Sequence, residues 1–444
     1  MNSKYSYKSM CPEPIKNKFA DIIVIYVLIL ALGFPGNYEL WFGSKFTTII
    51  EYSAFIAEIL VMLCITAKNV YDVKLLDLKS CFIPLYFTIL VFVIDSLCVT
   101  VSMKEQIITC IRFSVTAMFG IWMVLHYEIK DILKFLYKAQ WVFVILTIIF
   151  IVVSPDKGFN YQNNNELSMT GLFTVKNSCA LELMYGLMCQ ISLLFMEDGE
   201  EKSKIINFKF IVLFVVQIAL MLLCKATGAM FCLIIPLGYI IFWKRVKKMK
   251  GRLPIGVIFT AVSLIFIFAA LPILTFLAPF LEYIGKDPTL TGRTVMWEQI
   301  INMMMKHNTL TGYGFSMFWR NESAVNMLHS LFKKNSWYST MMFGSHNMVL
   351  ELWLEVGLIG IGFYFLMILW SFRNISKMQV IHYVFCVLYM GAFMIKGLTE
   401  RAYTTSGFQT LFLFVITAVG CLYNDRVLLE RVEPKPLVRV SVSE

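Results

Sequence analysis

The stretch FGSHNMVLELWLEVGLIGIGFYFLMILW, Phe343–Trp370, begins with polar residues and then becomes almost wholly apolar. Its apolar part is long enough to cross a bilayer as a helix, which takes about 20 residues. Only five histidines occur in the 444 residues, and one of them, His346, stands at the start of this apolar part. The stretch therefore predicts a membrane helix that begins with unusual polar residues.

Composition extends this prediction to the whole chain. Hydrophobic residues make up 58% of the sequence and charged residues 15%, whereas a soluble domain has about 45–50% and about 25%. The excess recurs as long apolar runs, which predicts an all-α, polytopic integral membrane protein with about twelve transmembrane helices and one large extracytoplasmic loop. The predicted spans are 20–35, 46–66, 82–101, 106–126, 132–153, 177–196, 208–224, 227–243, 254–276, 346–370, 379–397 and 404–423.

The basic residues predict the orientation of these helices. Lysine and arginine cluster in alternate loops, most densely in KRVKKMKGR at Lys244–Arg252, and such loops remain on the cytoplasmic side. Both termini are therefore predicted to be cytoplasmic, and the polar start of the chain predicts no cleaved signal. We divide the chain into helices one to nine (1–276), an extracytoplasmic loop with short helices (277–345), helices ten to twelve (346–423) and a cytoplasmic tail (424–444).

Several classes of function are disfavoured by the sequence. The net charge of +10 lies in short loops without a DNA-binding motif, so we expect no nucleic-acid partner. The eleven cysteines lie mostly in apolar runs and form no C-x-x-C pair, which supports neither a zinc site nor a disulfide framework. A P-loop, a D-x-D pair and a G-x-S-x-G elbow are all missing. We therefore predict no metal and no cofactor.

The large loop contains one predicted helix. TGRTVMWEQIINMMMKHN, Thr291–Asn308, has helical periodicity. Its predicted apolar face consists of Trp297, Ile300, Met304 and Met305. The following TLTGYGFSMFW, Thr309–Trp319, is predicted to be turn and loop, because glycines separate its aromatic residues.

Three polar clusters lie on the predicted outer face. They are Thr170–Asn177, Leu290–Glu298, and Ser345–Asn347 with Glu351 and Glu355. Each one stands where an outer loop meets or covers the membrane. A lipid-linked head group would lie at this level, so these clusters are the candidate site.

The same segments resemble a known family. Leu290–Trp319 followed by SHNMVLELWLEVGLIGIG, Ser345–Gly362, resembles the O-antigen ligase and O-antigen/exopolysaccharide polymerase superfamily. GLFTVKN at Gly171–Asn177 resembles that family's glycine-phenylalanine-(x)-lysine-asparagine segment, and Glu400 its acidic residue before the last helix. Members often carry an arginine a few residues before the glycine-phenylalanine segment. Here no arginine stands at that place, and Lys176 is the nearest cation.

The resemblance implies a GT-C-like membrane enzyme of the bacterial cytoplasmic (inner) membrane with its active site on the extracytoplasmic face. It would be an inverting, metal-independent glycosyltransferase with a polyprenyl-diphosphate-linked glycan as donor. We predict a polymerase of O-antigen, capsule or exopolysaccharide that elongates a lipid-linked repeat unit. One alternative is a ligase that moves polymer to an acceptor such as lipid A core, and another is a glycolipid flippase or transporter. Expected partners are the polyprenyl-diphosphate-linked oligosaccharide, membrane lipids, a chain-length regulator and a flippase.

Two residues are the predicted catalytic groups. Arg293 would neutralise the diphosphate, because a guanidinium can bind two phosphate oxygens at once. His346 would deprotonate the acceptor hydroxyl, because histidine titrates near neutral pH. His346 could instead donate a hydrogen bond to phosphate. The alternatives without a catalytic role are a solvated loop arginine and a histidine hydrogen-bonded to its own loop.

Three further candidates for substrate binding lie before the large loop. Lys176 and Asn177 begin the sixth span, and Lys176 could replace the missing arginine or only snorkel to lipid head groups. Arg112 lies inside a span, where a charge usually faces a cavity or a partner. It could line the donor cavity or form a structural ion pair with Asp95.

The last three candidates for substrate binding are Tyr313, Asn347 and Glu351. Tyr313 could stack on a sugar, although aromatic residues are common at membrane interfaces without any ligand. Asn347 could instead be a helix cap. Glu351 could orient His346 or Arg293, or be an interfacial residue.

Overall fold

The computed structural model shows a predominantly helical chain. The residues that the structure describes are 18–33, 38–69, 83–97, 102–161, 167–196, 207–245, 276, 279, 293–332, 344–375, 380–400 and 407–432.

In the apolar segments, a helix satisfies the hydrogen bonding of every backbone polar group within the segment itself. Fourteen α-helices lie within these described residues. They are α1 (Lys18–Ala31), α2 (Tyr38–Asn69), α3 (Ile83–Leu97), α4 (Met103–His126), α5 (Ile129–Val153), α6 (Pro155–Gly158), α7 (Lys176–Met196), α8 (Phe208–Leu223), α9 (Thr227–Arg245), α10 (Arg293–Lys306), α11 (Glu322–Ser330), α12 (Met348–Ile375), α13 (Val380–Gly397) and α14 (Phe408–Val432). Each predicted span except the ninth overlaps one of them, and the ninth, 254–276, lies outside the described residues apart from its last residue.

Four of these helices, α4, α5, α7 and α12, are long and apolar enough to cross a membrane. Shorter apolar helices of 10–17 residues accompany them among the described residues. The prediction of a mostly helical membrane protein is therefore confirmed. The number of twelve spans and the division of the chain into loop and bundle stay predictions.

The helix packing brings distant parts of the chain together. Helix α14 packs against α4 and α12, while α13 packs against α7 and α9. The rings of Tyr185 and Tyr389 stack with centroids 5.5 Å apart, and the Tyr389 hydroxyl donates to the Tyr185 carbonyl. These contacts hold the middle of α13 against the middle of α7.

A short hairpin precedes α7, in a segment for which the sequence predicted no strand. Strands β1 (Phe159–Tyr161) and β2 (Leu167–Met169) pair antiparallel. The chain then turns through Gly171, whose φ of +56° places it in the left-handed region. A Cβ atom there would lie 2.8 Å from Cys179 Sγ, so glycine allows the turn to pack on α7.

Helix α10 forms where its periodicity predicted it. Trp297, Ile300 and Met304 are buried as expected. The prediction was wrong for Met305, which is 65% exposed, whereas Met303 is 1% exposed. Met303 lies three residues after Ile300 and thus on the same face of the helix.

Helix α12 is broken at Gly357, whose backbone (φ 62°, ψ −169°) is not helical. The break leaves two carbonyls and two N–H groups without helical partners, and residues 309–314 of the loop supply the missing bonds. Tyr313 N–H donates to Leu354 O at 2.8 Å, Gly314 N–H to Glu355 O at 2.7 Å, Leu358 N–H to Thr309 O at 3.1 Å, and Ile359 N–H to Leu310 O at 3.1 Å. The loop thereby completes the hydrogen bonding of a membrane helix, where an unsatisfied group would cost several kcal/mol.

Two glycines allow this close approach. Both Gly312 and Gly357 have positive φ, +69° and +62°. A Cβ on Gly312 would lie 2.5 Å from Glu355 O, and a Cβ on Gly357 would lie 2.2 Å from Leu310 O. One contact between the loop and α12 therefore explains why glycine occupies both Gly312 and Gly357.

We predict that Gly357→Ala lowers the free energy of unfolding by about 2–5 kcal/mol, because left-handed strain adds to a steric overlap. The thermal midpoint of the detergent-purified protein is the measurement. Gly362→Ala is the matched control, since a Cβ on Gly362 of the same helix meets nothing within 4 Å. Equal thermal midpoints for the two variants would show that the break of α12 at Gly357 does not contribute to the stability of the protein.

Candidate functional site

The carboxylate of Glu400 is the centre of the candidate site. Oε1 accepts from Arg293 Nη2 at 2.9 Å and from Asn177 Nδ2 at 3.4 Å, and Oε2 lies 3.0 Å from His346 Nδ1. Arg293 begins α10, Asn177 lies in the first turn of α7, and His346 lies two residues before α12. Three separate elements thus meet at one acidic group just after α13.

The turn that carries Glu400 is held by further contacts. Arg293 Nη1 donates to the carbonyl of Thr399, and Asn347 Nδ2 donates to Leu398 O at 3.1 Å. Inside the turn, the N–H groups of Thr399 and Glu400 both donate to Lys396 O, at 3.0 and 2.9 Å. Arg293 therefore binds Thr399 and Glu400, two consecutive residues whose N–H groups both donate to the carbonyl of Lys396.

His346 has an unusual backbone conformation. Its φ is +52°, in the left-handed region that non-glycine residues rarely adopt. Strained residues of this kind cluster at functional sites, where the surrounding structure holds them. If Nδ1 of a neutral ring donates to Glu400, the lone pair is on Nε2.

The partners of Glu400 determine the pKa of its carboxyl. Burial raises the pKa of this carboxyl, but the hydrogen bond from His346 and the positive charge of Arg293 outweigh it and lower the pKa below its usual 4.5. The side chains of Arg293 and Glu400 are each 24% exposed and that of His346 is 36% exposed. Glu400 is therefore an anion near neutral pH, and its two partners remain partly accessible.

Glu351 is completely buried and fixes the segment before His346. Its Oε2 accepts from Ser345 N–H at 2.7 Å, and its Oε1 accepts from Trp319 Nε1 at 2.8 Å. Trp297 Nε1 donates to Ser345 O at 2.8 Å from the other side. These bonds give Glu351 a positioning role, because both of its oxygens are occupied by the protein.

Asn347 caps α12. Its Oδ1 accepts from the N–H groups of Val349 and Leu350 at 2.9 and 3.1 Å, as an N-cap side chain does. The same side chain binds Leu398 O through its nitrogen, so one buried residue starts α12 and holds the turn of Glu400.

Two other sequence candidates lie outside this cluster. Tyr313 is 8% exposed, and its hydroxyl donates to Met327 Sδ at 3.7 Å. Arg112 lies on α4 with its guanidinium 5.1 Å from the centroid of the Tyr52 ring. Neither residue is among those that bind Glu400 or its turn.

Lys176 lies next to the cluster without joining it. It is half-buried at the start of α7, directly before Asn177. Within the described residues it forms no ion pair. The site residue that sequence reasoning did not select is Glu400, whose signal was its place as an acidic residue just before the last predicted helix.

A family model supports the same interpretation. Residues 211–365 match the family described as O-antigen ligase. This match over residues 211–365 confirms the resemblance to the O-antigen ligase and polymerase superfamily predicted from the sequence. The matched region includes Arg293 and His346, whereas Asn177 and Glu400 lie on either side of it. No curated protein sequence matches the chain.

We predict that Glu400→Gln lowers the thermal midpoint most near neutral pH. Because the pKa of Glu400 is lowered by folding, its stabilising effect is fully present above the usual 4.5 and is lost as the pH falls through the lowered value. The difference between wild type and Glu400→Gln should therefore be constant from about pH 8 to about pH 5 and shrink in more acidic buffer.

The control for this titration is Glu298→Gln, which changes an exposed carboxylate of α10. It should leave the midpoint unchanged at every pH. A Glu400→Gln difference that grows on acidification would contradict the assignment of a lowered pKa.

Proposed function

We propose that the protein is an inverting, metal-independent glycosyltransferase that transfers a glycan from a polyprenyl diphosphate to a sugar hydroxyl. The observation that carries the proposal is the shared binding of Arg293 and His346 to Glu400. One residue suited to a diphosphate and one suited to a hydroxyl are thereby fixed side by side. The match of residues 211–365 to the O-antigen ligase family supports the same class of substrates.

His346 is the general base in this proposal. With Nδ1 directed at Glu400, Nε2 faces the substrate and takes the proton of the acceptor hydroxyl. Glu400 is a positioning residue that selects this tautomer and stabilises the imidazolium that forms. A well-placed base typically contributes about 10²–10⁴-fold in rate.

Arg293 binds the leaving group. A guanidinium has five N–H donors, and its bonds to Thr399 and Glu400 leave donors over for phosphate oxygens. Lys176 and Asn177 extend this contact, with Lys176 supplying the second positive charge. Its position beside Asn177, without an ion pair among the described residues, supports this role.

The reaction is a single displacement. The acceptor oxygen attacks the anomeric carbon of the donor as its proton passes to His346 Nε2. The bond from that carbon to the diphosphate oxygen breaks, and the polyprenyl diphosphate leaves as an anion at Arg293. The stored energy of the diphosphate linkage drives the transfer, so no nucleotide is consumed.

We infer that the acceptor is a lipid-linked repeat unit and that the protein is a polymerase at the extracytoplasmic face of the membrane. The second candidate is a ligase that transfers finished polymer to a terminal acceptor, which is the activity named in the description of the matching family. A gene deletion followed by mass analysis of the lipid-linked glycans distinguishes the polymerase from the ligase. Single repeats accumulate without a polymerase, and long lipid-linked chains accumulate without a ligase.

The same deletion tests the transporter alternative. A flippase deletion strands repeats on the cytoplasmic leaflet, where an impermeant periodate reagent does not reach them. Repeats that accumulate on the outer leaflet support the transferase, and stranded repeats contradict it.

We predict that Arg293→Ala and His346→Ala each abolish long glycan while the protein remains in the membrane. The loss should be about 10²-fold or more, since each removes a group that acts in the transition state. Gel ladders of the glycan and immunoblots of the membrane fraction are the measurements. Arg293→Lys should recover little, because lysine cannot replace a bidentate guanidinium.

Matched controls come from the same loop. Arg320, paired with Glu105 at 3.1 Å, and His307 are exposed, and neither is among the residues that bind Glu400. Their alanine variants should give normal ladders. Normal ladders from Arg293→Ala or His346→Ala would remove that residue from the mechanism.

A further inference from the structure

Two tryptophans of the large loop donate hydrogen bonds toward the backbone just before His346. Trp297 Nε1 donates to Ser345 O at 2.8 Å. Trp319 Nε1 donates at 2.8 Å to Oε1 of Glu351, whose Oε2 accepts from Ser345 N–H at 2.7 Å. The proposed mechanism uses neither indole.

The bond from Trp297 acts on the peptide unit that sets φ of His346. A peptide unit is planar, and the unit between Ser345 and His346 contains the carbonyl that Trp297 binds. Rotation of this unit would move His346 away from its φ of +52°, and it would break the bond to Trp297. Trp297 therefore stabilises a conformation that a non-glycine residue rarely adopts.

The bond from Trp319 acts on the preceding peptide unit through Glu351. The side chain of Glu351 is completely buried, and a buried carboxylate that loses a hydrogen-bond donor is costly. Loss of the Trp319 donor would therefore favour movement of the Glu351 carboxylate. Such a movement would release Ser345 N–H from its other oxygen.

The segment that follows His346 is fixed as well. Asn347 N–H donates to Ser345 Oγ at 3.4 Å, and Asn347 Oδ1 caps α12. The backbone of His346 is thus held on both sides. From this backbone the ring reaches Glu400, with His346 Nδ1 at 3.0 Å from Oε2.

Packing alone does not account for the two indole bonds. A phenylalanine would also fill the buried face of α10, but it would donate no hydrogen bond. A buried indole N–H usually finds a partner, yet Trp122 Nε1 has none within the described residues. The bonds of Trp297 and Trp319 have a further feature in common, because both hold Ser345 beside the proposed base.

We propose that Trp297 and Trp319 are positioning residues, whose indole N–H groups keep the His346 ring on its carboxylate partner during the transfer reaction. This inference rests on the proposed function. It differs from a purely structural role, in which the two bonds would only join the loop to α12. The large loop is then a permanent part of the machinery that places the base.

The test compares Trp297→Phe with Trp353→Phe in the full-length protein. Both tryptophans are buried, and Trp353 Nε1 also donates to a backbone carbonyl between loop and α12, that of Thr309 at 3.0 Å. The two changes remove the same group from the same interface, so both should lower the thermal midpoint. Of these two bonds, that of Trp297 holds the peptide unit of His346.

The substrate is the lipid-linked oligosaccharide extracted from the deletion strain. Trp297→Phe should lower kcat about ten- to hundred-fold at an unchanged KM, because a displaced base weakens transition-state stabilisation and not substrate binding. Trp353→Phe should keep the wild-type kcat. Equal kcat values for the two variants would overturn the proposal, since the bond of Trp297 would then be only structural.

A second variant covers the case in which Trp297→Phe does not fold. Trp319 is only half-buried, and Trp319→Phe removes the donor to Glu351. This variant should lower kcat in the same way as Trp297→Phe. A folded Trp319→Phe protein with the wild-type kcat would overturn the proposal.

A structure of the Trp297→Phe variant tests the geometry without an activity assay. The distance of 3.0 Å between His346 Nδ1 and Glu400 Oε2 should increase beyond hydrogen-bond range, and an unchanged distance would contradict the proposal. Activity that persists in Arg293→Ala and His346→Ala contradicts the proposed function itself. Activity that is lost in those variants but normal in Trp297→Phe contradicts only the role of the tryptophans.

Discussion

The carboxylate of Glu400 is the interaction on which the site depends. It binds a guanidinium, an imidazole and an amide that come from three different elements of the chain. Without this anion, Arg293 would lose its compensating charge in a partly buried place, and His346 would lose the partner of Nδ1. A buried charge left unpaired is costly, so the acid orders the loop helix, the entry of α12 and the start of α7 at once.

The rest of the arrangement holds that acid in place. Glu351 and Trp297 fix Ser345, which directly precedes the strained backbone of His346. Asn347 starts α12 and binds the turn of Glu400. The residues before α12 therefore have different roles. His346 binds Glu400, while Ser345 and Asn347 hold the backbone on either side of it.

Local patterns in the sequence were enough to find the helices and two of the groups at the centre. Hydropathy located the apolar helices, and the two motif stretches contain Arg293 and His346. The role of Glu400 could not be read in this way, because it lies 54 residues from His346 and 107 residues from Arg293. Contacts over such distances are set by how α7, α12 and α13 pack.

Two local predictions failed or were incomplete for physical reasons. The assignment of Met305 to the buried face was wrong because three consecutive methionines give no contrast in hydrophobicity, and the neighbouring Met303 is buried instead. The break in α12 was invisible because Gly357 lies in an unbroken apolar run. Its cause is the backbone of residues 309–314, which is distant in sequence.

The interlock between that loop and α12 restricts how substrates reach the site. Four backbone hydrogen bonds join the two segments, and breaking them would cost about 2–6 kcal/mol before any packing is lost. A hinged flap that swings open once per turnover is therefore a poor description of this loop. For the lipid-linked donor that we propose, lateral diffusion within the bilayer is therefore the simpler route to the site.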